Sequence, residues 1–107
     1  MCIRDRYAVR DENGAFVKST VDTNEYVGAD TEIFIRNGAP QIIYFDGKTN
    51  DMKLAGLAED GWTLNMVGGE TEAVGFHNEV VQDLNGDWWA ASFNYTKRNI
   101  FAKRLAQ

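Results

Sequence analysis

Short apolar segments alternate with turn-forming residues along most of the chain. Segments rich in Ile, Val, Phe, Tyr and Trp are bounded by Asn-Gly, Asp-Gly or Gly-Gly pairs, which favour the positive backbone angles of tight hairpin turns. In the middle of the chain this pattern predicts four consecutive strands, over Thr31–Arg36, Gln41–Phe45, Asp51–Leu57 and Trp62–Val67. The sequence is therefore predicted to be all-β, with antiparallel strands joined by hairpins.

The chain repeats itself at an interval of 47 or 48 residues. The matching pairs of segments are Gly38–Asp46 with Gly86–Asn94, Asn50–Leu54 with Arg98–Ala102, and Val27–Gly28 with Val74–Gly75. The difference of one residue falls in a hairpin turn, where loop length varies without disturbing the flanking strands. We therefore predict three pieces of one four-stranded unit: the end of a first copy at 7–26, a complete copy at 27–73 and an incomplete copy at 74–107.

The outer copies supply further predicted strands. These are Tyr7–Arg10 and Phe16–Val21, as the third and fourth strands of the first copy, and Asn99–Leu105, as the third strand of the last copy. The segment Asp51–Leu57 also fits one face of a helix, since Met52, Ala55 and their neighbours recur at helical spacing. Its counterpart at Asn99 is more typical of a strand, and we predict a strand for both.

Two continuous apolar runs, Ile42–Phe45 and Trp88–Ala91, bear on how the sheets pack. A strand with water on one side alternates between apolar and polar residues, so continuous runs indicate a sheet covered on both faces. Antiparallel four-stranded units that repeat near 48 residues and cover each other's faces are typical of β-propeller blades. We predict an incomplete β-propeller fragment of about two blades.

Particular motifs also resemble a known family. The segments that carry the resemblance are Tyr44–Asp46, Asn50–Ala55, Gly61–Thr63 and Val74–Gly75. They are similar to bacterial β-propeller repeats with His-Ile-Ser-Tyr-Tyr-Asp, Asp-Leu-Lys-Tyr-Ala and Gly-Trp motifs, and the resemblance extends over nearly everything after Tyr7. The sequence departs from that pattern at Gln41 and Trp89, where the family has His, and at Trp88, where it has Pro. The resemblance implies a blade scaffold that occurs in proteins of different activity.

Composition and charge narrow the function. Eleven basic and sixteen acidic residues give the 107-residue chain a net charge of −5, which argues against a nucleic-acid partner. No apolar stretch approaches the roughly 20 residues that a membrane span needs. The lone Cys2 excludes an internal disulfide. Residues 1–6 resemble a translated sequencing adapter, and we expect them to lie outside the native fold.

Two glutamates and two tryptophans are the candidate ligand-binding residues. Glu32 and Glu79 occupy the same place in adjacent first strands, which line the central channel of a propeller, so their carboxylates would converge on a cation such as calcium or on a polar ligand. Apart from calcium, no cofactor or metal is expected. Trp88 and Trp89 offer flat apolar faces that suit sugar rings, and alternation directs one ring to each side of the sheet.

Three classes of function follow from these expectations. The leading class is a non-catalytic scaffold or binding module of a larger secreted or envelope propeller, with a glycan or protein ligand and with neighbouring blades of its own chain or of other copies as partners. The alternatives are a sialidase-like glycoside hydrolase and a two-blade lectin that assembles into a ring. The hydrolase is disfavoured because the turn Leu57–Trp62 lacks the Ser/Thr-x-Asp-x-Gly-x-x-Trp box and the sequence shows no arginine cluster for a sugar carboxylate. No catalytic residue is predicted.

Overall fold

The computed structural model describes residues 5–69 and 71–106. Over this part the chain forms nine strands and no helix. The strands are β1 (Asp5–Arg10), β2 (Phe16–Asp22), β3 (Val27–Arg36), β4 (Ala39–Asp46), β5 (Asp51–Ala58), β6 (Gly61–Gly68), β7 (Phe76–Gln82), β8 (Trp88–Asn94) and β9 (Asn99–Arg104). In the described part no helix is long and apolar enough to cross a membrane.

The strands form three separate antiparallel sheets in chain order. β1 and β2 make a two-stranded sheet, β3 to β6 a four-stranded sheet, and β7 to β9 a three-stranded sheet. Each strand within a sheet pairs with its neighbour in sequence, as hairpin connections require. The all-β, antiparallel class is therefore confirmed. The three sheets are open and do not close into a ring.

The strand predicted over Asp51–Leu57 is confirmed as β5. It lies between β4 and β6 and pairs with both along most of its length, which leaves no room for a helix there. Of the four central strands, β3 differs most from its prediction, because it begins at Val27 rather than Thr31. The extra residues pair irregularly with β4, and Asp30 adopts a left-handed backbone with φ of 52°, so the strand carries a bulge at this point.

The four-stranded and three-stranded sheets share their strand register. Opposed pairs at corresponding places are Glu32–Ile43 and Glu79–Ala91 in the first hairpins, and Asp46–Asp51 and Asn94–Asn99 in the second hairpins. The first strand of each sheet has a register shift at the same place, next to a left-handed residue, Asp30 or His77. The two sheets thus have the same strand pairing at these positions.

At the start of β1, residues 5 and 6 pair with Asp22 and Thr20 of β2. Residues 1–4 of the segment predicted to be foreign, Cys2 among them, lie outside the described residues.

The apolar core consists of two clusters, one on each side of the four-stranded sheet. The first joins that sheet to the three-stranded sheet through Ile43, Met52, Val67, Val74, Ala90 and Leu105. The second joins it to the two-stranded sheet through Val21, Val27, Ile42, Tyr44 and Ala55. Neighbouring residues of β4 therefore enter opposite clusters, and the prediction that this sheet is covered on both faces is confirmed at β4.

The backbone leading into β7 approaches β5 closely. Val74 N–H donates to the Asn50 carbonyl at 3.2 Å. The adjacent Gly75 has φ of 101°, and a Cβ there would lie 3.0 Å from the Asp51 carbonyl oxygen. A glycine is required at this point because the three-stranded sheet is seated directly on β5.

A buried polar network also joins the two-stranded and four-stranded sheets. Tyr44 donates its hydroxyl to Asp22 Oδ2 at 2.7 Å, and Lys53 Nζ lies 2.7 Å from Asp46 Oδ2 and 3.9 Å from Asp22 Oδ2. The side chains of Asp22 and Asp46 are 0% and 3% exposed. Burial alone would raise the pKa of Asp46, but the bond from Lys53 and the N–H groups of the following turn lower it overall.

We expect Lys53→Met to destabilise the protein by about 3–5 kcal/mol at neutral pH, because it leaves two buried carboxylates without their cation. Since the pKa of Asp46 is lowered in the folded state, its stabilising contribution is present above the usual value of 3.8 and is lost as the pH falls through the folded pKa. The difference from wild type should therefore narrow in acid. Urea unfolding at several pH values measures this difference in the free energy of unfolding. Lys48→Met, at an exposed position, is the control. An equal effect of both variants would contradict a stabilising role of the buried network.

Part of the four-stranded sheet's apolar surface remains uncovered. Ile33 and Ile35 are 56% and 59% exposed, on the face of β3 opposite Phe34, which packs into the first core cluster. This is the side on which the neighbouring sheet has only two strands, so nothing in the described part lies over the two isoleucines. Adjacent exposed β-branched residues on a strand form a surface prone to association.

We expect the 107-residue chain to self-associate at micromolar concentration through this surface. The double substitution Ile33→Thr, Ile35→Thr keeps β-branched side chains and should shift the population toward the monomer in sedimentation velocity. Leu84→Thr, at a fully exposed turn position, is the matched control and should leave association unchanged. A monomeric wild-type protein with a cooperative thermal transition would contradict this expectation.

Candidate functional site

The structure brings the two candidate glutamates together. Glu32 on β3 is half-buried and Glu79 on β7 is exposed, and their carboxyl groups interact across the two strands. Burial raises the pKa of Glu32, the N–H of Val80 that donates to it acts in the opposite direction, and the charge of Glu79 raises it further, so the net pKa lies above its usual value. Burial and the neighbouring charge thus both favour the neutral form of Glu32.

Asn78, next to Glu79 on β7, links β7 to β3 beside this pair. Its Nδ2 donates to the carbonyl of Asp30 on β3 at 3.0 Å and to the carbonyl of Gly75 at 2.8 Å. The side chain is buried, and its Oδ1 has no hydrogen-bond partner among the described residues. The buried side-chain amide of Asn78 thus fixes the relative position of the two strands that carry the acid pair.

The glutamate pair supplies few ligands for calcium. Calcium takes six to eight oxygen ligands, whereas two carboxylates supply at most four. Among residues 5–69 and 71–106, no group of three or more His, Cys, Asp and Glu side chains gathers at one point. Calcium binding at this pair would need further oxygen ligands from solvent or from a bound molecule.

Trp88 and Trp89 lie on opposite faces of β8. Trp88 is half-buried in the first core cluster, with its ring centroid 5.2 Å from that of Phe34, so it packs between two sheets. Trp89 is 38% exposed, and its Nε1 donates to Asp83 Oδ2 at 3.0 Å. That bond lowers the pKa of Asp83. Of these two tryptophans Trp89 is therefore the more exposed, and its hydrogen bond fixes the orientation of its indole.

A cleft of 590 Å³ opens beside the first core cluster, between the four-stranded sheet and β9. Its polar lining consists of Arg36, Gln41, Thr63, Asn65, Lys103 and Arg104, together with Asn37 at its edge. Leu54, Leu57 and Leu105 are among the apolar residues of its wall. No Asp or Glu is among the described residues that line it. The cleft thus combines an apolar surface with amide, hydroxyl and cationic groups.

Arg36 is the most deeply placed cation of this cleft. It is 6% exposed, its Nη1 lies 3.5 Å from Gln41 Oε1, and its Nη2 donates to the Ala106 carbonyl. None of the ion pairs within the described part of the chain involves it. Both of these partners are neutral oxygens.

The other two cations of the cleft come from β9. Lys103 Nζ donates to the Val67 carbonyl at 3.0 Å, which ties β9 to the end of β6. Arg104 Nη1 lies 3.8 Å from Asp87 Oδ2, and its side chain is 62% exposed. Arg104 therefore stands at the solvent edge of the cleft.

Sequence analysis did not find this cationic group. Arg36 ends the first strand of one sheet and Arg104 ends the third strand of another, so they are distant in the chain and share no motif. Strand alternation places Arg36 on the same face as Phe34, so the sequence could have predicted that Arg36 faces the neighbouring sheet. That Arg36 and Arg104 line one cleft depends on how one sheet is seated on the other, which is a tertiary property.

We expect Glu32→Gln to raise stability at pH 7 by about 0.5 kcal/mol, because it removes repulsion between like charges on neighbouring strands. Since the pKa of Glu32 is raised in the folded state, the wild-type stability that this group contributes is present below its usual value of 4.5 and is lost as the pH rises through the folded pKa. The advantage of the variant should therefore disappear toward pH 4.

Thermal unfolding across this pH range measures the effect, with Glu59→Gln in an exposed turn as the matched control. Equal behaviour of the two variants would contradict a coupled pair. A calcium-dependent rise in melting temperature that Glu32→Gln abolishes would show instead that the pair holds a cation.

Comparison with protein families, with curated proteins and with solved structures finds no match for this chain.

Proposed function

We propose that this chain is a non-catalytic binding module built from the blades of a β-propeller of a larger secreted or envelope protein. Two observations support the blade arrangement. The four-stranded and three-stranded sheets share strand order and register, and they pack side by side through the first core cluster. Sheets that cover each other in this way are the building principle of propellers.

The cleft beside Arg36 and the edge strand β9 is the observation that carries the binding function for the 107-residue chain. Its volume of 590 Å³ falls in the range of small-molecule sites, about 300–1,000 Å³. Leucine side chains provide a surface for the C–H face of a sugar ring, and the amides of Gln41 and Asn65 and the hydroxyl of Thr63 provide partners for its hydroxyl groups. This mixture of groups suits a saccharide better than an entirely apolar ligand.

The distribution of carboxyl groups favours binding over hydrolysis. Most glycosidases place two carboxyl groups on either side of the scissile bond. Here the cleft is lined by cations, whereas the acid pair Glu32 and Glu79 lies outside its lining. The groups that would hold a sugar and the groups that would cleave it are at different places.

A ring-forming lectin is the second candidate. The exposed Ile33 and Ile35 lie on a face that a neighbouring sheet would cover, and a further copy of the chain can supply such a sheet. This candidate differs from the first only in whether the neighbouring blades belong to the same chain.

We expect the 107-residue chain to retain saccharides on a glycan array and to leave them intact. Thr63→Val removes a hydroxyl from the cleft at nearly constant volume and should weaken retention severalfold, since it removes a hydrogen bond worth about 1 kcal/mol. Thr20→Val, at an exposed position on β2, is the matched control. Mass spectrometry of the retained saccharides checks their integrity.

Failure to retain any saccharide would overturn the binding function. Recovery of shortened saccharides would overturn its non-catalytic character and favour the glycoside hydrolase.

A further inference from the structure

We propose that Asn37 is a site of spontaneous covalent modification, at which the backbone nitrogen of Gly38 displaces the side-chain amide and leaves an aspartate or an isoaspartate. The inference does not depend on the proposed binding function, because it concerns a hairpin turn whose two strands, β3 and β4, both belong to the four-stranded sheet. It is carried by three observations: the Asn-Gly pair itself, the free N–H group of Gly38, and the open space around the turn.

The reaction needs only the chain, hydroxide and water. The nitrogen of Gly38 loses its proton to hydroxide and attacks Cγ of Asn37, which closes a succinimide ring, while the Cγ–Nδ2 bond breaks and Nδ2 leaves as ammonia. Water then opens the ring at one carbonyl to give aspartate, or at the other to give isoaspartate. No group is oxidised or reduced. A glycine after the asparagine favours the attack because it has no Cβ to obstruct the nitrogen.

The chain contains three Asn-Gly pairs, and the structure distinguishes them by the state of the glycine N–H group. Gly14 N–H donates to the Asp11 carbonyl at 3.1 Å, and Gly86 N–H donates to the Asp83 carbonyl at 3.0 Å. A nitrogen held in such a bond must release it before it can attack a side chain. Gly38 N–H makes no hydrogen bond with any other residue that the structure describes. The attacking nitrogen is therefore free at this pair.

An aspartate side chain also holds each of the other two turns. Asp11 Oδ1 accepts the N–H groups of Asn13 and Ala15, both at 2.9 Å. The turn that begins at Asp83 has the same two bonds at the same length. These bonds fix the backbone on both sides of the asparagine and oppose the rotation that the attack requires. The turn at Asn37 has no such aspartate.

The turn at Asn37 is short and open. Asn37 and Gly38 are its two central residues, with φ of 54° and 76° as a type I′ turn requires, and the opposed pair Arg36 and Ala39 closes it. Both central residues are exposed, and the Asn37 amide makes no hydrogen bond within the described part. Apart from the chain neighbours of Gly38, no described heavy atom lies within 4 Å of the position that a Cβ would occupy there. The amide can therefore rotate toward the nitrogen, and water can reach the ring.

The modification changes both the charge and the backbone of this turn. Either product carries a carboxylate on the residue after Arg36, whose guanidinium is 6% exposed and bonded to neutral oxygens. Isoaspartate also adds a methylene group to the main chain of a two-residue turn. We therefore expect the aspartate form to keep the pairing of Arg36 with Ala39 and the isoaspartate form to disturb it.

Ageing of the folded 107-residue chain in mildly alkaline buffer tests the proposal. Mass spectrometry of its peptides at intervals measures the reaction at each pair, because every deamidation adds about 1 Da. The variant Asn37→Asp supplies the standard that separates aspartate from isoaspartate in chromatography. Asn37 should react at least about fivefold faster than Asn13 and Asn85, the factor that release of one hydrogen bond adds to a barrier. The rate should rise with pH, since the attacking nitrogen must be deprotonated.

Unfolding in urea is the matched control, because it removes the hydrogen bonds and keeps the sequence. The three pairs should then react at similar rates. In the folded chain, Asp83→Ala removes the side-chain bonds of its turn and should speed the reaction at Asn85 about fivefold, with no change at Asn37. Asp60→Ala, at another exposed turn position, should change neither rate. The comparison of folded and unfolded wild type stands even if Asp83→Ala does not fold.

Other outcomes would overturn the proposal. Equal rates at the three pairs of the folded chain, or a faster reaction at Asn13 or Asn85, would show that the free N–H group of Gly38 does not select the site. A preference for Asn37 that persists in urea would assign the selection to the flanking sequence and not to the fold. Because these measurements use no ligand, their outcome is separate from that of the glycan array.

Discussion

The burial of the four-stranded sheet on both faces is the constraint on which the rest of the structure depends. Ile42, Ile43 and Tyr44 follow one another on β4 and are almost fully buried, although they point alternately to opposite sides. Each such side chain contributes roughly 1.5–3 kcal/mol only if a second layer covers it. One sheet therefore requires two neighbours, and the two-stranded and three-stranded sheets supply them.

The same requirement explains the polar groups at the two junctions. At the first junction Asp22, Tyr44, Lys53 and Asp46 form a buried network that fixes how the two-stranded sheet sits. Apolar contacts alone would allow sheets to slide, whereas hydrogen bonds between buried groups hold only at one position.

The second junction uses other residues for the same purpose. Asn94, which occupies the place of Asp46, donates to Glu72, and Lys97 pairs with Glu72 at 2.8 Å. The bonds from Lys97 and Asn94 lower the pKa of Glu72. Both junctions therefore combine an apolar interior with an ion pair near a hairpin turn. The pair of Lys97 with Glu72 is more exposed to solvent than that of Lys53 with Asp46.

Local signals explain why so much of the fold could be predicted. Turn residues and alternation define hairpins, and nearly every predicted strand of the chain is present within a few residues. The start of β3 was missed because Gly28 and Asp30, which both have positive φ, form a bulge that interrupts the regular strand pattern. Glu32 and Glu79 could be expected to meet because equivalent positions of neighbouring sheets lie side by side. The cleft could not be predicted, since it arises where dissimilar parts of two sheets meet.

The order of residues on β3 keeps the two charged sites apart. Every second residue of a strand lies on the same face. Phe34 faces the three-stranded sheet, and so do Glu32 and Arg36, which are two positions before and after it. Phe34 packs on Trp88 in the space between the two charged residues.

An acid and an arginine four positions apart on one strand are separated by about 13 Å along the backbone, which is too far for a hydrogen bond or a direct ion pair. Glu32 consequently does little to neutralise Arg36, and its interactions are with Glu79 and Val80. Phe34 and Trp88 thus lie between Arg36, which has neutral partners at the end of β3, and the acid pair near the middle of the strand. A single strand in this way gives one junction two chemically opposite sites.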